Sequence, residues 1–159
     1  MDLVLLKYLH IISSTFLFGT GIGTAFYLLM ASLTRDARIV AAVARWVVIA
    51  DWIFTATTIV FQPVSGIYLA KRMGLSLSTP WLYWSLVLYL IAALAWLPVV
   101  WLQMRLRDIA TEAAKAGRDL PDSYASHLGA WVALGVPALL SFLAIFFMMV
   151  AKRVPFFDL

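Results

Sequence analysis

The chain contains no cysteine, which excludes thiolate metal sites, disulfides and cysteine nucleophiles together. Charge is almost as scarce. Only 13% of the 159 residues are Asp, Glu, Lys or Arg, about half the roughly 25% of a soluble domain. Phosphate loop, zincin motif and nucleophile elbow are all missing. The Gly19-Thr20-Gly21-Ile22-Gly23 run lacks the strand context of a dinucleotide fingerprint. A paired-carboxylate hydrolase needs two convergent acids, and Asp51 is the one clearly embedded acid. There is no internal repeat and no low-complexity segment.

What is abundant is apolar. Hydrophobic residues make up 64% of the chain and mean hydropathy is +0.96, against roughly 45–50% apolar residues in a soluble domain. That excess exceeds what one water-facing fold can hide, so the solvent is mostly lipid. Four apolar segments, residues 3–33, 39–70, 81–106 and 124–151, each meet or exceed the roughly 20 residues needed to cross a bilayer. They predict one all-α domain over residues 1–159, an integral membrane four-helix up-and-down bundle. The first segment opens with Met1-Asp2 instead of a basic region and is too long for a signal peptide, so it reads as a retained span.

The breaks between spans carry turn chemistry. Thr34-Arg35-Asp36 separates the first two, and Gly74 with residues 76–80 separates the next pair, with Thr79 as N-cap and Pro80 at the first helical position. The third helix should run past the membrane through Asp108, Glu112 and Lys115 and stop at Gly117, before Pro121 restarts the chain. Despite a net charge of +4, the basic residues sit in loops and at helix ends, which fits anionic lipid headgroups and topology better than nucleic acid. Loops one and three with their helix ends hold Arg35, Arg38, Arg45, Arg105, Arg107, Lys115 and Arg118; the opposite side holds Lys7, Lys71, Arg72, Lys152 and Arg153. That bias predicts both termini outside. Trp46, Trp52, Trp81, Tyr83, Trp84, Tyr124, Phe156 and Phe157 lie near span ends, as interfacial anchors do.

Asp51, Thr55, Thr58, Gln62 and Ser65 are spaced four, three, four and three apart, which places all five on one narrow face of an α-helix. A polar row in lipid demands a buried partner surface. Pro63 predicts a kink beside Gln62 and freed carbonyls near it. The first helix has a stripe of Lys7, His10, Ser14, Gly21 and Thr24; nearly opposite, Gly19 and Gly23 form a Gly-x-x-x-Gly pair, facing either a second subunit in a homodimer or neighbours in the same bundle. The third helix offers Ser85, Tyr89, Ala92, Trp96 and Gln103, and the fourth His127, Trp131, Ala138, Ser141 and Met148. Antiparallel packing sorts these by depth. His10, Ser14, Gln62, Ser65, Ser85, Tyr89 and Met148 fall on the terminal side; Asp51, Gln103, Arg105 and His127 fall on the other. The two histidines should stand on the order of 20 Å apart along the membrane normal, too far for one metal ion.

A histidine inside a span is a candidate ligand, proton carrier or paired structural group. As a ligand, His10 would coordinate haem iron or copper, with its second nitrogen held by Ser14 or Gln62 and Met148 completing the pair. Asp51 needs a partner. The options are an ion pair with Arg105 or His127, a protonated carboxyl bonded to Gln103, or a proton relay along Asp51, Thr55, Thr58 and Gln62.

Leu6-Lys7-Tyr8-Leu9-His10, Phe18-Gly19-Thr20-Gly21, Ala50-Asp51-Trp52, Gln62-Pro63, Ser65-Gly66, the Trp96–Gln103 run and the closing Met149-Val150-Ala151-Lys152 together resemble the DUF2269 family. The resemblance covers nearly the whole chain and implies a bacterial integral membrane protein, for which the charge bias puts the termini on the periplasmic side of the inner membrane. It supplies no reaction. Lys7-Tyr8-Leu9-His10-Ile11-Ile12 is also similar to the first span of HemJ-type protoporphyrinogen oxidases and CopD-type copper proteins. That similarity implies a haem site at His10. Three functions stay open. One is a haem-b-binding redox or haem-handling protein, with His10 as axial ligand, Lys7 near a propionate and Ser14, Gln62, Tyr89 and Met148 around the cofactor. Another is a small ion or copper transporter using Asp51 and Gln62. The third is a structural subunit without chemistry of its own.

Overall fold

Two aspartates set where the first two spans begin. In the computed structural model, which describes residues 2–155, the Asp2 carboxylate accepts from the Val4 N–H at 3.3 Å and opens α1 (Leu3–Leu33). After Thr34, Arg35 takes a left-handed φ of 56°, which a non-glycine residue adopts only in tight turns. Asp36 then accepts from the Arg38 N–H at 2.8 Å and caps α2 (Ala37–Ala50). A single π-helical turn, Asp51–Thr55, joins α2 to α3 (Ala56–Arg72), so the second span is one helical rod, Ala37–Arg72. α4 (Pro80–Lys115) and α5 (Asp122–Ala151) complete the fold, and no strand occurs among the described residues.

Pro80 stands at the first helical position of α4, as the sequence predicts, but the Thr79 hydroxyl makes no capping bond. The Thr79 carbonyl instead accepts the Leu82 and Tyr83 N–H groups. α4 runs through Asp108 and Glu112 to Lys115, and Gly117 follows with a φ of 60°, where a side chain would be strained.

All four spans are long and apolar enough to cross a membrane. Their outer faces present side chains such as Val60, Leu90, Leu140 and Val150, the last 85% exposed. Water would reject so continuous an apolar surface, whereas lipid matches it. The bundle is therefore an integral membrane one.

Packing inside the bundle is uneven. On the side of loops one and three, Leu28, Val40, Ala44, Leu106, Ala110 and Trp131 belong to one dense core. A smaller cluster of Ala70, Trp81, Leu82 and Met148 closes the terminal side. α4 lies along α5 and α2, while α1 lies along α2 and α3. α3 barely meets α4, and α1 barely meets α5. Two of the expected interfacial anchors are in fact buried. The Tyr124 hydroxyl donates to Ser32 Oγ at 2.6 Å while Ser32 donates to the Leu28 carbonyl, pinning α5 to α1. Trp81 is buried beneath Lys152, whose Nζ stands 4.2 Å from its ring centroid. Trp46, Trp52, Tyr83 and Trp84 are exposed as anchors should be; Phe156 and Phe157 lie outside the described residues.

Where α3 and α4 diverge, a proline supplies the link. Pro63 has no N–H, so it leaves the carbonyl of Ile59, four residues earlier, without its helical partner. The Tyr89 hydroxyl of α4 donates to that carbonyl at 2.7 Å. Tyr89 is therefore a strut between helices. Replacing Tyr89 by Phe should cost about 1 kcal/mol of bundle stability, the scale of one orphaned carbonyl or one interhelical bond in a membrane. Denaturant titration in detergent reads this directly, and an unchanged midpoint would count against the strut.

Candidate functional site

The π turn decides which groups meet. Its signature bond runs from the Ala56 N–H to the Asp51 carbonyl, five residues back. The extra residue rotates the downstream face by about 100° relative to a continuous α-helix. The polar row predicted for a single face is therefore split in two. Asp51 and Thr55 turn toward Gln103 of α4, and Gln62 and Ser65 turn toward His10 of α1. Thr58, between them, spends its hydroxyl on the Phe54 carbonyl of its own helix at 2.6 Å. Among the described residues, no direct side-chain hydrogen bond links the two clusters through Thr58.

At the His10 cluster, the Ser65 hydroxyl donates to the Phe61 carbonyl at 2.7 Å. Its oxygen is left to accept, and His10 Nδ1–H donates to it at 2.8 Å. His10 Nε2 then accepts from the Gln62 amide at 3.2 Å. The ring lies against the backbone of Gly66, where a Cβ would stand 3.1 Å from His10 Cε1. Gln62, Ser65 and Gly66 thus form a fitted seat for one imidazole.

That seat does not fit haem or copper. A metal would need the lone pair on Nε2, which the Gln62 amide N–H occupies. The remaining members of the predicted cofactor set are not assembled around it. Ser14 donates to the Ile11 carbonyl at 2.7 Å, Met148 is 1% exposed among Ala70, Trp81 and Leu82, and Tyr89 bonds to Ile59. Lys7 is exposed, and its charge acts on Lys152, whose ammonium is held below the ordinary lysine pKa first by burial and then by that repulsion. Among the described residues, no three His, Asp or Glu side chains converge on a point.

The second cluster lies under a cleft of about 360 Å³ between α1 and α5, the two helices that barely meet. Asp51, Thr55 and Gln103 are polar parts of its lining; Leu17, Phe18, Ala92, Trp96, Trp131 and Phe142 are among the apolar ones. Asp51 and Gln103 are each only 3% exposed. Thr55 Oγ1 donates to Asp51 Oδ1 at 2.9 Å, and the Gln103 side chain bears on the same carboxyl. Gln103 Oε1, Trp96 Nε1 and Trp131 Nε1 are buried in this lining without a hydrogen-bond partner, and such groups are rare unless a further partner serves them.

Neither cation proposed for Asp51 reaches it. Arg105 lies over the Trp101 ring, with Cζ 6.0 Å from its centroid. His127 Nδ1 bonds to the Ser123 carbonyl at 2.6 Å within its own helix. Depth sorting puts these groups at the right height but ignores direction. Gln103 and Arg105 are two residues apart, so they point about 200° away from each other. Among the described residues the one ion pair is Arg107–Asp108, at 2.8 Å between adjacent residues. As for Gly19 and Gly23, a Cβ on either would meet nothing within 4 Å, so the pair does not seat a neighbour in this bundle.

The model of DUF2269, predicted integral membrane proteins, matches residues 4–153. The chain belongs to the DUF2269 family. No curated protein and no solved structure matches it. In this DUF2269 chain the match spans both polar clusters, the His10 seat and the Asp51 floor of the cleft.

The roles of Gly66, Trp96, Trp131 and the π turn are not legible in the sequence. Gly66 is visible in sequence only as a small residue beside Ser65. Trp96 and Trp131 stand on the inward faces predicted for their helices, but nothing in the sequence shows that their N–H groups lack partners. The π turn has no periodic signal at all. The seat makes a sharp prediction: Gly66→Ala should destabilise the native bundle by about 1 kcal/mol but far less in a His10→Ala background, a coupling expected for side chains in contact. A double-mutant cycle by denaturant titration measures it, and additive effects would contradict the seat.

Proposed function

We propose that this membrane protein binds a basic or cationic solute at Asp51 in exchange for a proton, as a small carrier or solute-binding protein. One observation carries the reading: a carboxyl buried in a lipid-embedded bundle lines a cleft, and no cationic side chain among the described residues pairs with it. An ionised carboxylate left unpaired in such surroundings costs several kcal/mol or more. A proton or a positively charged solute must therefore occupy it, and the two compete for the same oxygens. Thr55 and Gln103 orient the carboxyl without neutralising it.

Thr58, whose hydroxyl is bonded to the Phe54 carbonyl of its own helix, favours exchange at one place over conduction along the helix. The His10 seat then serves helix register, since both nitrogens of the ring are spent on α3.

A lipophilic carbodiimide tests this, because it modifies protonated carboxyls within membranes and spares ionised ones exposed to water. In lipid vesicles it should label Asp51 in preference to Asp36, Asp108 and Glu112. Peptide mapping by mass spectrometry reads the site. Absence of the adduct at every pH at which the bundle stays folded would overturn the proposal.

A further inference from the structure

The cleft restricts which solute Asp51 could hold. Its volume of about 360 Å³ lies at the small end of the roughly 300–1,000 Å³ of ligand sites. Apart from the polar floor and the indole N–H groups of Trp96 and Trp131, its walls are hydrocarbon and aromatic rings, Phe18 and Phe142 among them. Ile22, Phe26, Val132 and Val136 line it and are exposed, so the cleft is open between the two spans α1 and α5, toward the bilayer. Gly21 and Gly135, with space for a Cβ at each, keep that opening wide.

An inorganic cation is a poor occupant. Sodium, potassium or calcium would exchange a full hydration shell for a few oxygens on one wall, and hard cations take six or more oxygen ligands. The acceptors are few but specific: the Asp51 carboxyl and the buried, unpartnered Gln103 Oε1. Both call for N–H donors, and aromatic walls attract organic cations through their ring faces.

From these observations we infer that the cleft takes a lipophilic primary or secondary amine, one or two hydrocarbon rings in size, arriving from the bilayer as the neutral base. This rests on the exchange reading of Asp51. The chemistry balances within the site. The neutral amine dissolves in lipid and brings a lone pair; the Asp51 carboxyl supplies the proton. The O–H bond breaks as the N–H bond forms, leaving an ammonium and a carboxylate in contact, with no net charge added to the membrane. One ammonium N–H then donates to the carboxylate, and a turn of the Gln103 amide brings its buried Oε1 to accept another. A quaternary ammonium cannot accept that proton and leaves Gln103 unserved. A neutral alcohol of the same shape forms no ion pair.

Equilibrium dialysis against the protein in lipid nanodiscs tests this with 1-naphthylmethylamine as probe, 1-naphthalenemethanol as neutral control and N,N,N-trimethyl-1-naphthylmethylammonium as quaternary control. Saturable, equimolar binding of the amine is expected, at least tenfold tighter than either control. Asp51→Asn should weaken it at least tenfold. Gly135→Leu, which fills the cleft from α5 without altering the carboxyl, should also remove it, keeping the test decisive if Asp51→Asn fails to fold. Equal binding of the alcohol, or amine binding that survives both substitutions, would overturn the inference. Carbodiimide labelling of Asp51 without saturable amine binding would sink the amine while sparing proton exchange; failure of both would sink both.

Discussion

A single π-helical turn at Asp51–Thr55 organises this protein. Without it, the second span would present one polar stripe and bury all five groups against one neighbour. The inserted residue sends the upstream pair toward α4 and the downstream pair toward α1. π turns recur at functional positions because they change where side chains point while the helix continues. Here the turn starts at the embedded carboxylate itself, so Asp51 faces a cleft and not the His10 seat.

The two clusters differ in how far their polar groups are paired. Around His10 both ring nitrogens are bonded and Gly66 closes one face, leaving Gln62 Oε1 as the one atom of that group without a partner. Around Asp51 it is incomplete, with a carboxyl lacking a counter-charge and three buried polar atoms lacking partners. A satisfied network holds helices in register, whereas an unsatisfied one in a cleft asks for a further partner. The rest of the bundle keeps these regions apart. Tyr89 secures the carbonyl that Pro63 releases, and Tyr124 with Ser32 pins α5 to α1 away from the opening.

Much of the fold was legible in the sequence because lipid imposes simple rules. Apolar runs of bilayer length gave the four spans, Pro80 marked the start of α4, and Gly117 marked its end. Antiparallel depth put Gln62 and Ser65 at the level of His10, and the π turn supplies the direction that lets them bond to it. What depth does not give is direction around each helix, so Arg105 and His127 were assigned to Asp51 at the right height but on the wrong side. The π turn was invisible because it leaves no periodic trace in residue type. Trp81 and Tyr124 look like interfacial anchors from their positions near span ends, yet tertiary partners bury them. Missing partners, which carry the argument about function, are a property of packing.

The central claim is that Asp51 holds a proton when the cleft is empty and gives it up to a basic solute. Infrared difference spectroscopy of the protein in lipid, against Asp51→Asn, observes that carboxyl directly. The account predicts the C=O stretch of a protonated carboxylic acid in the empty protein, replaced by carboxylate bands when 1-naphthylmethylamine is added. Carboxylate bands in the empty protein that the amine leaves unchanged would contradict it.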